Sequence, residues 1–384
     1  TLERVFITGV TPVVMADITS GYNVIEDISL KPEFDDLCGF HEAEIRQTLD
    51  QLVSDCQQPT EKSAEALAML RTFYNGYNFS LNEARGLIYN PTLALYFFDH
   101  FRSYCDYPER MLDNNLAMDR NRIEYVGRLP HGQALVEAAL ESESPILINA
   151  LADRFGVQTM LQSPKDHDLL ASLLYYFGVL TYVGRNFMGQ LQMAPPNLVV
   201  RKLYAERMRE TLLPDYEGTE QLQSAVRRFY SAGELAPLVA LIEERFLPIY
   251  DNRDLRWSNE LTLKTLFLSA LFNDTLYIMD SETAIDKGYA DLTLIVRPDR
   301  RQYTLLDHLL EFKYVSLGEL GLSGEVVKGM TREALRALPK VAEKLKEAEA
   351  QLSRYRTSLE QAYGSKLTLR TYALVGVGLS RVAW

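Results

Sequence analysis

Residues 291–315 read DLTLIVRPDRRQYTLLDHLLEFKYV, and this stretch decides the fold of the carboxyl-terminal part of the chain. Two apolar runs flank the polar segment RPDRRQ, a pattern that is typical of a β-hairpin with buried strands. If the hairpin is centred near Arg301, Asp291 lies opposite Glu311. Directly opposed residues of an antiparallel pair project to the same face of the sheet, so the two carboxylates are predicted to lie side by side.

Lys313 is predicted to join these carboxylates. Side chains alternate between the two faces of a strand, so Lys313 shares the face of Glu311, while Phe312 and His308 project from the other face. His308 is therefore expected to pack rather than to take part in chemistry. Glu311 lies within the apolar run LLEF, where a carboxylate is costly unless it is paired or binds a cation.

A divalent cation would explain the two adjacent carboxylates. Close carboxylates repel each other, and a bound cation removes that penalty while both stay ionised. Oxygen ligands favour Mg²⁺ or Mn²⁺, with water and a substrate phosphate completing the coordination. The sequence thus predicts Asp291 and Glu311 as metal ligands for phosphodiester hydrolysis, with Lys313 orienting water or balancing phosphate charge. The alternative is an exposed ion pair without function, worth less than about 1 kcal/mol.

Two further polar residues are candidates for the same site. Glu260 falls in the first turn of a helix predicted over residues 258–272 and is a candidate third metal ligand. The helix dipole also favours an acidic residue there, and the sequence leaves both explanations open. Gln351 and Tyr355 share one face of a helix predicted over residues 331–362, and Gln351 lies either at the site or on the surface.

The elements around the hairpin predict an α/β/α core with a mixed sheet. Their order is helix, three strands, helix, strand; the strands are expected at residues 275–279, 289–297, 303–315 and 367–379. We place this domain at residues 216–384, because the turn-like segment PDYEGT lies at its beginning. The chain as a whole is therefore predicted to be a multidomain α/β protein.

Residues 31–215 are predicted to be a helical region with a winged-helix-like end. Apolar residues recur at steps of three and four between residues 33 and 72. The apolar run 169–183, a Gly-punctuated hairpin and a helix over residues 198–213 follow in the order of a winged helix. Such units bind nucleic acid or merely pack against a neighbouring domain, and the sequence does not separate the two roles.

Residues 1–30 are predicted to hold one strand of a larger sheet. The run RVFITGVTPVV over residues 4–14 is typical of a buried strand. One strand cannot bury both of its faces alone, so we expect the rest of its sheet to lie upstream. The first residue is Thr1 rather than Met, which suggests that the natural beginning is missing.

Composition limits the class of protein. The chain has 384 residues, of which 47% are hydrophobic and 24% charged, and this is typical of folded domains. The net charge of -12 counts against a protein that coats nucleic acid non-specifically. It leaves a nuclease open, because attraction of phosphate depends on the local field. The apolar runs are too short or interrupted to span a membrane.

The three cysteines, Cys38, Cys56 and Cys105, are odd in number and far apart in sequence. None forms a C-x-x-C pair, so we expect neither a zinc knuckle nor a disulfide framework. A reducing cytoplasm is the predicted location.

The element order and the acid-and-lysine pattern resemble those of the PD-(D/E)XK nuclease superfamily. More narrowly, the similarity is to the nuclease-like domain that follows an AAA-ATPase-like domain in many bacterial proteins. The segments that carry it are GYADLTLIV (288–296), LLEFKYV (309–315), AQLSRYR (350–356) and ALVGVGLS (373–380). The resemblance implies a nucleic acid, DNA or RNA, as substrate and partner.

Carried over by position, the resemblance implies Asp291 and Glu311 as metal ligands and Lys313 as the catalytic lysine. Glu260 would be the acidic residue of the first helix, and Gln351 an auxiliary polar residue of the second. The aspartate is preceded by an alanine where the superfamily usually has proline, a residue that performs no chemistry.

The upstream segments resemble the later part of the AAA-ATPase-like module. They are RVFITGVTPV, FYNGYNFS, IYNPTLALYFF and YYFGVLTYV. The chain contains no G-x-x-x-x-G-K-[ST] motif, so no ATP hydrolysis is expected from it alone. A second hypothesis is a catalytically silent nucleic-acid- or protein-binding output module of an NTP-driven protein.

Overall fold

The computed structural model describes residues 6, 28–82, 86–112, 118–140, 145–152, 166–251, 260–280, 283–285 and 288–384. The strand predicted over residues 4–14 therefore lies outside the described residues, apart from Phe6. The chain divides into two compact units, the first ending at Tyr204 and the second running from Ala205 to Trp384. Each unit is described separately below.

The first unit is mainly helical, as predicted. Its early helices are α1 (Glu42–Asp55), α2 (Glu61–Tyr74), α3 (Pro91–Tyr104), α4 (Met118–Gly127) and α5 (Gly132–Leu140). Local sequence explains where α3 begins: the Asn90 side chain accepts a hydrogen bond from the Leu93 N–H, and Pro91 occupies a first-turn position that needs no N–H donor.

A helix, a hairpin and a helix follow in the predicted order. They are α6 (His167–Tyr176), β2 (Thr181–Arg185), β3 (Leu191–Ala194) and α7 (Leu198–Leu212). Strand β1 (Ile146–Ile148) pairs antiparallel with β3 and makes a three-stranded sheet of order β1-β3-β2. The order agrees with the expected one, while assignment of this region to the winged-helix class remains a prediction.

The expectation that the cysteines form no disulfide was wrong. Cys56 and Cys105 are joined by a disulfide, with Cα atoms 5.6 Å apart, and Cys38 is free and exposed. The two paired cysteines directly follow α1 and α3. Their pairing depends on how these helices pack, which sequence spacing does not reveal. The cytoplasmic location, which relied in part on unpaired cysteines, stays a prediction.

Helices open the second unit and precede its sheet. They are α8 (Tyr216–Ala232), α9 (Leu235–Leu241), a π-helical segment (Ile242–Phe246), α10 (Leu247–Asp251) and α11 (Glu260–Leu271). Helix α8 ends at Gly233, whose φ of 73° lies in the left-handed region. A Cβ at this position would also lie 2.6 Å from the Tyr372 hydroxyl, so both backbone and packing require glycine.

A five-stranded mixed sheet forms the centre of the second unit. Its strands are β4 (Tyr277–Asp280), β7 (Leu292–Val296), β8 (Asp307–Val315), β9 (Leu369–Val377) and β10 (Arg381–Ala383), in the order β10-β9-β8-β7-β4. Strands β8 and β9 are parallel, and the other neighbours are antiparallel. A separate small hairpin consists of β5 (Thr283–Ile285) and β6 (Gly288–Ala290). The mixed sheet and the element order agree with the predicted core.

The connection from β8 to β9 contains four helices rather than one long helix. These are α12 (Leu317–Leu320), α13 (Gly324–Gly329), α14 (Arg332–Arg336) and α15 (Pro339–Tyr363). The single helix predicted over residues 331–362 was wrong at its beginning, because Pro339 starts a new helix. Helix α15 packs on the sheet through Leu352, Tyr355 and Leu359, which form an apolar cluster with Leu309.

Among the described residues, no helix has the length and apolar character required to cross a membrane.

Candidate active site

The hairpin aligns Asp291 with Glu311. Strands β7 and β8 pair Leu292 with Leu310, and continuing this register by one residue places Asp291 opposite Glu311. The register is symmetric about Arg301, as predicted from the sequence. Asp291 itself immediately precedes β7.

Both carboxylate oxygens of Asp291 face donors. The side chain is buried, and its Oδ2 accepts a 2.7 Å hydrogen bond from the Phe312 N–H on β8. Its Oδ1 lies 3.7 Å from the Nζ of Lys264 on α11. These two contacts hold the carboxylate against β8, next to Glu311.

Glu311 has one oxygen with a partner and one without. The residue is only 1% exposed, and its Oε1 accepts a 2.9 Å hydrogen bond from the Lys313 Nζ. Its Oε2 is buried and has no hydrogen-bond partner. Burial and the charge of Asp291 raise the pKa of Glu311 to about 7, although Lys313 opposes this. The negative charge of an ionised Glu311 is therefore only partly offset by Lys313, and its Oε2 faces no hydrogen-bond donor among the described residues.

Lys313 links the acidic side chains. Its Nζ donates to Glu311, to the Phe312 carbonyl at 2.8 Å, and to Glu260 Oε1 at 3.4 Å. Burial lowers the pKa of Lys313, but the hydrogen bond to Glu311 and the surrounding negative charges outweigh it and raise that pKa. The ammonium is therefore held in place as a cation beside Glu311, on the face that the strand periodicity predicted.

Glu260 reaches the site through Lys313. It is the first residue of α11, and its side chain is 41% exposed. Within the described part of the chain, no three His, Cys, Asp or Glu side chains converge closely enough to hold a metal ion. The structure thus brings Glu260 to the lysine, while its role as a third metal ligand stays a prediction.

Helix α15 contributes a polar atom without a partner. The Oε1 of Gln351 is buried and accepts no hydrogen bond. One turn later, Tyr355 is buried against Leu309 and Leu352. Burial, followed by the charge of Glu311, raises the pKa of Tyr355, which shows that this helix face borders the site. The role of Gln351 at the site stays a prediction.

Sequence reasoning missed Lys264. This side chain is 2% exposed and pairs with Asp291. The available signal was a single lysine within ELTLKTLFLSAL, a segment that is otherwise almost entirely apolar. Lys264 also lies four residues after Glu260, and therefore on the same side of the helix.

His308 packs on the opposite face of β8, as predicted. Its ring stacks on Phe229 with centroids 4.2 Å apart, and Tyr230, Tyr277 and Tyr372 surround it. Burial lowers the pKa of His308 to about 3, against a smaller opposing effect of the Tyr230 carbonyl. His308 is a neutral core residue and no part of the site.

The oxygen atoms at this site are of the type that binds a hard cation. Carboxylate and amide oxygens are the ligands that Mg²⁺ and Mn²⁺ prefer. Glu311 Oε2 and Gln351 Oε1 are both buried acceptors without a donor, which is the condition that a bound cation would relieve. Asp291 beside Glu311 would supply the second carboxylate.

A comparison with known families finds a match in the second unit. Residues 258–382 match the model of the PD-(D/E)XK nuclease superfamily, which is less than half of the chain, and the match does not extend to earlier residues. No curated protein and no solved structure matches the chain significantly. The matched residues contain all five predicted site residues: Glu260, Asp291, Glu311, Lys313 and Gln351.

Proposed function

We propose that residues 258–382 form a nuclease domain that hydrolyses phosphodiester bonds with Mg²⁺ or Mn²⁺. The observation that carries this is Glu311, a fully buried carboxylate with an oxygen that has no donor, between Asp291 and Lys313. A buried acceptor of this kind is rare unless a ligand or ion completes it. The superfamily match supports the same class of reaction.

Each side chain has a distinct role in this proposal. Asp291 and Glu311 would hold the cation, which would supply Lewis acidity at the scissile phosphate. Lys313 stabilises the negative charge that develops on the scissile phosphate, because its ammonium is already held at the site. Glu260 either holds Lys313 in place, as its 3.4 Å contact indicates, or adds a ligand. Gln351 would offer its buried Oε1 either as a further ligand of the cation or as a hydrogen-bond acceptor for water.

A cleavage assay tests the proposal. Purified protein is incubated with linear and circular DNA and with RNA, in Mn²⁺, in Mg²⁺ and in a chelator. We expect divalent-metal-dependent cleavage of at least one substrate. Asp291→Asn and Glu311→Gln should each lower the rate by about 10²-fold or more, since removing a group that stabilises charge in the transition state has effects of this size.

Glu333→Gln is the matched control, because it removes an exposed carboxylate of α14, outside the site. It should retain the full rate. Equal cleavage by the Asp291→Asn, Glu311→Gln and unchanged proteins would show that the activity belongs to a contaminant and would refute the proposal.

A second candidate is a catalytically silent module that binds nucleic acid or protein. Lys264 favours it, because this lysine already offsets the charge of Asp291 without a metal. The net charge of -12 agrees with a protein partner. Specific binding of a substrate without cleavage, together with no binding of Mn²⁺, would favour this candidate.

We also propose, from sequence resemblance alone, that the region before residue 216 is the later part of an AAA-ATPase-like module in a cytoplasmic protein. The chain contains no phosphate-binding loop motif, so the purified chain should not hydrolyse ATP. A phosphate-release assay measures this directly.

A further inference from the structure

Lys264 is a buried cation of the candidate active site to which the proposed nuclease mechanism assigns no role. Its side chain is 2% exposed and lies on α11, and its Nζ is 3.7 Å from Asp291 Oδ1. A lysine is rarely buried without a charge partner, because removal of an ammonium from water is costly. The partner here is the carboxylate expected to bind the metal ion.

The contacts of Asp291 leave little room for a second ion. Its Oδ2 accepts the Phe312 N–H at 2.7 Å, and its Oδ1 faces Lys264. Two-metal phosphodiesterases place their ions about 4 Å apart, and a carboxylate that bridges them offers one oxygen to each. In this chain the Lys264 ammonium lies 3.7 Å from Asp291 Oδ1, so this oxygen is less available to a second cation.

The net charge of the site also favours one divalent ion over two. Among the described residues, ion pairs at the site join three carboxylates (Glu260, Asp291 and Glu311) to two ammonium groups (Lys264 and Lys313). With every group charged, the cluster carries one excess negative charge. One divalent ion therefore overcompensates it slightly, whereas a second would add to a cluster that is already positive.

We propose that Lys264 acts as a built-in cation that limits this site to one divalent ion and weakens the binding of that ion by competing for Asp291. Lys264 is thus a positioning residue: it holds Asp291 and sets the affinity of the site. The inference rests on the metal-dependent function proposed above and deepens it.

Calorimetric titration of the whole chain with MnCl₂ tests this. The unchanged protein should bind one Mn²⁺ at the site, and Asp291→Asn should abolish that binding. Lys264→Met keeps the length of the side chain but removes its charge, and we expect it to bind Mn²⁺ at least about tenfold more tightly. Lys264→Arg keeps the charge and should retain the weaker affinity.

Lys346→Met is the control for loss of a positive charge, since Lys346 is exposed on α15. It should leave Mn²⁺ affinity unchanged. The inference would be overturned if the unchanged protein bound two Mn²⁺ ions and Asp291→Asn bound neither. This outcome requires no Lys264 variant, so it remains decisive even if Lys264→Met fails to fold.

The outcomes separate this inference from the proposed function. Equal Mn²⁺ affinity in the unchanged protein and in Lys264→Met overturns the role of Lys264 and leaves the nuclease proposal standing. If Lys264→Met binds Mn²⁺ and the unchanged protein does not, the role of Lys264 is supported. The same result would contradict metal-dependent cleavage by the unchanged protein. Absence of binding in both proteins overturns both.

Discussion

Strand β8 contains two buried carboxylates, Asp307 and Glu311, that differ in how fully their oxygens are hydrogen-bonded. Asp307, at the beginning of the strand, is fully buried, and each of its oxygens accepts two hydrogen bonds. The donors are the N–H groups of Val296 and Thr368 and the guanidinium of Arg301, all at 2.7–2.8 Å. Four residues later, Glu311 is equally buried but has a donor on only one oxygen.

This difference distinguishes a carboxylate that stabilises the fold from the carboxylate that we propose to bind a cation. The hydrogen bonds of Asp307 join β7, the hairpin turn and the segment before β9, so its charge holds the sheet together. Oε2 of Glu311 makes no hydrogen bond to the described residues and therefore joins no structural elements. An acceptor buried without a donor is unfavourable, and it persists where function requires it.

The largest expected effect comes from Asp307→Asn. The amide cannot accept from every donor that now surrounds the carboxylate, and Arg301 loses its charge partner. Removal of one member of a buried ion pair costs about 3–5 kcal/mol, and we expect the lower end because Arg301 is 25% exposed. Unfolding in urea, followed by circular dichroism, measures this loss.

Glu311→Gln is the matched substitution at the other position. It should change the free energy of unfolding of the metal-free protein by less than about 1 kcal/mol, because the amide oxygen can still accept from Lys313 and the substitution relieves repulsion from Asp291. If both variants lost a similar amount of unfolding free energy, both carboxylates would be structural, and the distinction between Asp307 and Glu311 would be wrong.

Added metal should have an effect slightly smaller than that of Asp307→Asn. At a Mn²⁺ concentration one hundred times its dissociation constant, binding to the folded state alone raises the free energy of unfolding by about 2.7 kcal/mol. The same urea experiment with and without MnCl₂ measures the gain. Asp291→Asn should show none, whereas a gain of the same size in this variant would place the ion elsewhere.

An effect slightly smaller than that of bound metal is expected from His308, on the opposite face of β8. Its folded-state pKa of about 3 lies below its ordinary value of 6.5, so the unfolded chain binds the proton more readily. The resulting stability is present above pH 6.5 and is lost as the pH falls towards 3. Between pH 6.5 and pH 5 the loss should be about 2 kcal/mol.

His308→Phe should remove this loss, because phenylalanine preserves the aromatic stack but does not titrate. The measurement is the change in unfolding free energy between the two pH values. His167→Phe, at an exposed histidine, is the control and should keep the original pH dependence. A His308→Phe variant that lost the same stability at low pH would show that other groups cause it.

The arrangement of the site was predictable where short-range rules control it. Strand periodicity fixed the shared face of Glu311 and Lys313, and the symmetric hairpin placed Asp291 opposite Glu311. The break before Pro339 was missed, although proline is a signal for the first turn of a new helix.

Contacts between distant elements were not predictable. The approach of Lys264 to Asp291 depends on how α11 crosses the sheet, and no local pattern specifies that crossing. The Cys56–Cys105 disulfide likewise depends on the packing of α1 against α3. In both cases the residue types were visible in the sequence, but their partners were set by tertiary structure.

The parallel pairing of β8 with β9 has a consequence for synthesis on the ribosome. All nine residues of β8, including Glu311, align with residues 369–377, and a connection of four helices separates the two strands. A nascent chain that has already released β8 from the exit tunnel still lacks its neighbour. One edge of the acid-and-lysine strand therefore remains unpaired until residues 369–377 have been translated.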